Sequence, residues 1–228
     1  MQHWNNDKEL FALIRNELFS CVIGDVMDKI DLRHQFLPPN IKPLRQDMQL
    51  VGRAKTVLEA DCASTYDHSE AQEKAFGVMF EALDSIKEDE IYICSGSSPT
   101  YACWGELMST RALHLKGAGA VIEGYSRDTK GILNLNFPTF SLGAYGQDQG
   151  VRGRVIDFDC PIQFSNQVLV NSGDIVVGDI DGVVVIPRER EVEVIKAALA
   201  KVRDENMVEI KIREGMPTRE VWDKYGVM

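Results

Sequence analysis

Apolar positions along the chain recur at two different intervals, and the intervals separate helices from strands. Across residues 7–19, Leu10, Leu13, Ile14 and Leu18 follow the three- and four-residue spacing that places side chains on one face of a helix. Ser20 then reads as the N-cap of a second helix carrying Val22, Val26 and Ile30, so helices are predicted over about 7–31. Pro38-Pro39 and Pro43 mark an extended connection into a strand at 51–58. From there the elements alternate: a helix at 68–83, a strand at 90–94, and a loop at Ser95-Gly96-Ser97-Ser98-Pro99. A helix at 106–116, ended by Gly117 as a C-cap, is followed by a buried strand at 118–123. Further strands are predicted at 138–142, 153–158, 174–178 and 183–186, the last two joined through an Asp181-Gly182 turn. A long helix at 189–213 lines up Val192, Ile195, Leu199 and Val202 on one face and stops at Gly215 and Pro217. The class is α/β, one domain over 1–228 with a mixed sheet layered by helices.

Composition narrows the partners. With 25 basic against 35 acidic residues the net charge is −10, which lacks the cationic footprint for phosphate backbones or anionic membranes, so neither nucleic acid nor membrane is expected as a partner. Asp7, Lys8, Glu9, Arg15 and Glu17 interrupt the first twenty residues, and no apolar run approaches about 18 residues, so a cytoplasmic location is expected. The five cysteines are scattered, odd in number and without a CxxC pair, which predicts reduced and mostly buried thiols.

The residues that carry chemistry are Trp104-Gly105-Glu106 and, after 20 intervening positions, Arg127-Asp128. A helix of about 11 residues climbs roughly 16 Å and a strand of about five returns roughly 17 Å, which puts both groups at one edge of the sheet. The free amides of Leu107 and Met108 at the helix start suit an anionic carboxylate. Asp128 and Glu106 offer hard oxygen donors that suit Mg²⁺ or Mn²⁺ better than zinc, and Arg127 would steady an oxyanion on a polarised carbonyl. Together they point to enolate chemistry on a 2-oxo acid. The plainer explanation is ordinary capping by Glu106 beside a common Arg-Asp dipeptide at a strand end.

A longer set of residues adds weight. Trp104-Gly105-Glu106-Leu107, the run Lys116-Gly117-Ala118-Gly119-Ala120-Val121 leading to Gly124-Tyr125-Ser126-Arg127-Asp128, Phe137-Pro138, and Ser172 through Pro187 occur in order. In that combination the chain resembles the family that joins 4-hydroxy-4-methyl-2-oxoglutarate aldolase with the regulator of ribonuclease activity A, from about Ser20 to the C-terminal helix. The resemblance implies an α-β-β-α sandwich of the swivelling β/β/α type, a homotrimer or homohexamer, and divalent-metal-dependent cleavage of 4-hydroxy-2-oxo acids to pyruvate and a second carbonyl compound, with oxaloacetate decarboxylation as a side activity. It also implies roles: Asp128 as direct metal ligand, Glu106 as an acid acting through water, and Arg127 as the residue on the 2-oxo acid and its enolate. Gly105, Leu107 and Met108 would lie at the substrate carboxylate, and Glu205 would be an acid reaching a neighbouring subunit's metal water. Tyr125-Ser126 replace the small or aliphatic run that commonly precedes the Arg-Asp pair, and Asp25 to Asp28 differ as well. The phenol and hydroxyl predict a polar substrate with polyol contacts.

Other motifs have plainer explanations. Gly117-Ala118-Gly119 with Gly124 fails GxGxxG because Ile122 stands at the third glycine's place, which argues for close packing and against a nucleotide site or a methyltransferase. Asp179-Ile180-Asp181-Gly182 lacks the acids of a calcium loop at Val177 and Arg188 and reads as a hairpin turn. Lys116 and Lys130, as Schiff-base candidates, are better explained by a helix end and a solvated helix start. His68 and His114 read as helix-surface residues, and Cys103 as core, with no histidine near it. The rival to an enzyme is a non-catalytic acidic protein that binds and inhibits another, since one fold can carry either function.

Overall fold

The computed structural model describes residues 4–62 and 76–227. Two helices open it, α1 (Asp7–Glu17) and α2 (Ser20–Lys29). Asn6 caps α1 by accepting from the Glu9 N–H at 2.9 Å, and Leu10, Phe11 and Ile14 turn inward. The cap of α2 differs from the expectation: Phe19 is the N-cap and Ser20 the first helical residue. The Ser20 N–H and hydroxyl both donate to the Asp179 carboxylate at 2.7 Å, so an acid 159 residues away replaces the local cap.

The sheet is built from β1 (Lys42–Pro43), β2 (Leu50–Asp61), β3 (Glu90–Ser95), β5 (Gly119–Ile122), β7 (Thr139–Ser141), β8 (Gly153–Phe158), β11 (Ile175–Gly178) and β12 (Val183–Ile186). Their order is β1-β7-β5-β3-β2-β11-β12, with β8 paired to the second half of β2. The β2-β3-β5-β7 run is parallel and the outer pairings are antiparallel. β2 runs twelve residues and past the expected end at 58, because its first half pairs β11 and its second half pairs β8. The connection before β1 lies along β12, with the Leu37 N–H donating to Val183 O and the Val185 N–H to Gln35 O, both at 2.9 Å. One stretch of chain therefore joins the two outer strands, and the sheet is nearly closed. Short pairs complete the strands: β4 (Ala102–Trp104) with β6 (Tyr125–Ser126), and β9 (Ile162–Gln163) with β10 (Leu169–Val170).

The remaining helices are α3 (Met79–Asp84), α4 (Glu106–His114), α5 (Thr129–Leu135), α6 (Glu191–Arg213) and α7 (Thr218–Tyr225). Of the helix expected at 68–83, residues 68–75, with His68, lie outside the described residues. Lys116, with φ of 64°, takes the left-handed position after α4, and the Gly117 N–H returns to Ala112 O at 2.8 Å. The closing residue is thus Lys116 rather than Gly117, in a two-bond helix terminus. Gly215 and Pro217 do end α6, but the chain restarts at once as α7, which the sequence pattern did not show.

Alternation along the strands sorts side chains into separate layers. Val51, Ile175, Val177, Val184 and Ile186 pack with α1, α2 and α6. Val176, Val183, Val185, Ile91 and Ile93 fill the opposite side. Val57, Tyr92, Cys94 and Ala120 meet α3, Trp104 and Phe137 in a third cluster. The sheet is covered by helices as the sandwich expectation had it. The Asp179–Gly182 segment is a hairpin loop between β11 and β12, closed by Asp179 N–H to Gly182 O at 3.0 Å.

Candidate functional site

The site forms where two short strands lie side by side. β4 and β6 pair in parallel, Ala102 opposite Tyr125 and Trp104 opposite Ser126, and the Arg127 N–H donates to Trp104 O at 2.8 Å. Each strand then releases its functional pair at the same end: Gly105-Glu106 into α4, and Arg127-Asp128 into α5. The helix-and-strand return anticipated from spacing is present, yet the β4–β6 ribbon is what sets the register.

Trp104 anchors this end. It is buried, ring-stacked against Phe137 at 6.1 Å and tilted against Tyr92 at 4.9 Å. Its indole N–H donates to the Ser109 hydroxyl at 2.8 Å, and that hydroxyl donates to Gly105 O at 3.0 Å. The following glycine leaves room for its neighbours: a Cβ on Gly105 would stand 3.2 Å from Asp128 Oδ2 and 3.4 Å from Arg127 Cγ and would press both side chains. Gly105 supplies no side-chain cap to α4, so the first-turn amides, those of Leu107 and Met108 included, are left for a ligand or solvent.

Asp128 holds a left-handed conformation, φ 55°, that Asp tolerates better than most residues. It stands at the N-cap of α5, yet its carboxylate makes no cap hydrogen bond, which leaves its oxygens available. Arg127 Nε lies 3.5 Å from Asp128 Oδ2, and Nη1 donates to Asp148 Oδ1 at 2.6 Å. Gly105, Leu107, Met108, Arg127 and Asp128 line one cleft of about 530 Å³. Glu106 faces away from it. Its carboxylate leans over Gly131, in a shallow polar hollow shared with Asp128, Thr129, Lys130 and Asn134, so Asp128 stands between the two. Glu205 is not brought to this cleft within the chain: it pairs with Lys201, which also meets Asp25 at 3.0 Å.

Two expectations about the surroundings change. Ser126 is fully buried and shares a hydrogen bond of 3.2 Å with Ser141, and Tyr125 packs on Tyr145 at 5.3 Å. Neither is among the residues lining the cleft, so the basis for polyol contacts is gone. Thiol burial is also less general than anticipated. Cys94 and Cys103 are buried, Cys62 and Cys160 are partly exposed, and Cys21 is exposed. Burial and the negative charge of Glu59 push the Cys103 thiol up to about 12, which suits core packing rather than nucleophilic use.

Sequence reasoning did not find Asp148, Gln149 or Glu59. The 143–149 loop runs beside β4 and β6, with Ala102 N–H donating to Gln147 O at 2.8 Å, and so delivers Asp148 to Arg127. Buried Gln149 donates to the Glu59 carboxyl at 2.6 Å, and burial, with the charge of Asp61, pushes that carboxyl up to about 8. No local pattern marks these residues, although an acid inside a long strand is itself a signal when the strand's length is known.

The donor set fits a hard divalent cation that keeps most of its waters, held by one or two carboxylates. Asp128, with Glu106 beside it, supplies that number, and the described residues hold no group of three or more His, Cys, Asp or Glu that would close a site.

Comparison with known proteins finds relatives in sequence and in fold. The RraA-like family pattern, described as Aldolase/RraA, matches residues 20–185. A protein of Halalkalibacterium halodurans, provisionally named 4-hydroxy-4-methyl-2-oxoglutarate aldolase, is 32% identical over 183 residues, covering 79% of this chain and 80% of the relative. Protein DlpA of Legionella pneumophila is 30% identical over 207 residues, 90% of this chain, which spans only 32% of DlpA's length. The crystal structure of Streptomyces coelicolor RraAS2, described as an unusual member of the RNase ES inhibitor RraA family, superposes with a TM-score of 0.76 at 21% identity, covering 90% of this chain and 98% of the other. By its family match over residues 20–185 and its fold, the chain belongs to the RraA-like family.

Proposed function

We propose that this protein is a divalent-cation-dependent carbon–carbon lyase that cleaves 4-hydroxy-2-oxo acids to pyruvate and a second carbonyl compound. The observation that carries this reading is the β4–β6 ribbon, which sets an uncapped helix N-terminus, the Arg127 guanidinium and the Asp128 carboxylate around one cleft. The α4 amides and Arg127 receive the substrate carboxylate and the 2-oxo oxygen. As the C3–C4 bond breaks, negative charge develops on that oxygen, and a preformed guanidinium beside it lowers the barrier. Asp148 holds Arg127 in place. Asp128, with Glu106 acting through water, would hold a Mg²⁺ or Mn²⁺ ion, which supplies Lewis acidity at the 2-oxo oxygen. A water poised by Glu106 would take the 4-hydroxyl proton. Oxaloacetate, which also loses a C3 substituent through an enolate, would be decarboxylated by the same groups.

The relative named as an aldolase supports this reading, and the structural kinship with an RNase ES inhibitor family supports the alternative of a protein-binding regulator. Pyruvate release from 4-hydroxy-2-oxo acids, followed by coupling to lactate dehydrogenase, separates them. Turnover with Mg²⁺ or Mn²⁺ that EDTA abolishes is the expected result. Absence of turnover on every 4-hydroxy-2-oxo acid and on oxaloacetate would favour the regulator.

A further inference from the structure

The cleft at Arg127 has two unlike walls. One carries Arg127, Asp128 and Asp148; the other is made by Phe76, Met79, Phe80 and Leu83, largely from α3. At about 530 Å³ it is larger than a three-carbon head fills and lies in the range of sites for extended ligands. The substrate head belongs at the Arg127 wall, so whatever C4 carries is directed to the other.

The chemistry of that second wall is selective. Its cation, Arg111, already donates to Asp84 at 2.7 Å, and Arg127 donates to Asp148 at 2.6 Å. The described lining contains two arginines against three aspartates, so a second carboxylate turned toward this wall would find no excess of positive charge. A polyol fares no better. No serine, threonine, tyrosine, asparagine or histidine is among the described lining residues, the Trp104 N–H is spent on Ser109, and one Gln149 amide N–H donates to Glu59. Hydroxyls placed against Phe76, Met79, Phe80 and Leu83 would lose water without gaining partners from those side chains. Phe80 is 55% exposed, an apolar side chain with surface still to cover.

We propose that the Phe76, Met79, Phe80 and Leu83 wall is a subsite for an apolar C4 substituent, which makes the second product an aliphatic or aromatic aldehyde or ketone. This rests on the lyase reading above. The reaction balances without a further reagent: the 4-hydroxyl loses its proton and becomes the carbonyl, the C3–C4 electron pair passes to C3 as the pyruvate enolate, and C3 takes a proton.

The test compares 4-hydroxy-2-oxo acids that differ only at C4, bearing propyl, phenyl, carboxylate or hydroxymethyl, in the coupled assay with Mn²⁺. Each buried methylene is worth about fourfold, so the propyl compound is expected to exceed the carboxylate one in kcat/KM by on the order of 50-fold. Phe80→Ala should raise KM for the propyl compound, with a loss in kcat/KM at least about fivefold greater than its loss with oxaloacetate, which has no tail. Preference for the carboxylate or hydroxymethyl compound, or an equal loss on all substrates in Phe80→Ala, would overturn the subsite. Calorimetric binding of 2-oxohexanoate against 2-oxoglutarate needs no turnover and keeps the two readings apart. If nothing releases pyruvate, the lyase reading fails, while tighter binding of 2-oxohexanoate that Phe80→Ala abolishes still supports the subsite. Equal binding, or none because a protein segment occupies the wall, would overturn it.

Discussion

Arg127 and Gly105 show how little freedom the cleft leaves at single positions. The guanidinium is held by Asp148 at 2.6 Å and lies 3.5 Å from Asp128, so its plane is set before substrate arrives. Arg127→Ala is therefore expected to lower kcat by about 10² to 10³, the cost of losing one preorganised group on a developing oxyanion. Arg127→Lys should recover little of this, because an ammonium does not reproduce the planar fork. Steady-state kinetics with a 4-hydroxy-2-oxo acid checks both, and an unchanged kcat in Arg127→Ala would remove the residue from the mechanism. Arg127-Asp128 and Gly105 could be picked out along the chain because they flank recognisable elements. Asp148 could not, lying 21 residues beyond Arg127 in a loop with no periodicity of its own.

At the scale of elements, the β4–β6 ribbon and the start of α4 act as one unit through Trp104. Ser109 receives the Trp104 indole N–H inside the core and passes its own hydroxyl to Gly105 O. Ser109→Ala leaves that buried N–H without an acceptor and is expected to destabilise the protein by about 1–3 kcal/mol, read as a shift in urea midpoint at constant m-value. A second junction ties α1 and α6 to the sheet: Arg53 on β2 donates to Asp7 at 2.6 Å and to Glu191 at 2.5 Å. The arginine holds the Asp7 carboxyl below its usual range. Arg53→Ala strands Glu191, whose side chain is 18% exposed, and should cost about 3 kcal/mol, measured by the same melt. Helix α4 and strands β8 and β12 could be anticipated from periodicity. The ribbon could not, since three- and two-residue strands carry too few positions to show a period.

For the molecule as a whole, the burial that makes a continuous core also leaves an acid inside it. Glu59 lies near the end of β2 with its carboxyl pushed up to about 8 by desolvation, then by Asp61. The folded protein keeps this proton to higher pH than the unfolded chain, so stability from this group is present at low pH and lost as pH rises from about 4.5 through 8. The loss is at most about 1.4 kcal/mol per pH unit, or roughly 3–5 °C in Tm. Glu59→Gln, which still accepts from Gln149, should flatten the Tm profile between about pH 5 and 8 relative to the parent protein. A parallel slope in both proteins would show that another group controls it. The described residues include no helix long and apolar enough to cross a membrane. Chain order alone was enough for the succession of helices and strands, the apolar faces, and the pairing of Glu106 with Arg127-Asp128 as candidates, because these depend on spacing between near neighbours. Strand order, the near closure of the sheet, the Asp179 cap on α2, the Asp148 partner and the two-walled cleft were decided by the fold. They depend on contacts between distant segments, and those are chosen by the joint packing of all layers rather than by any local run of residues.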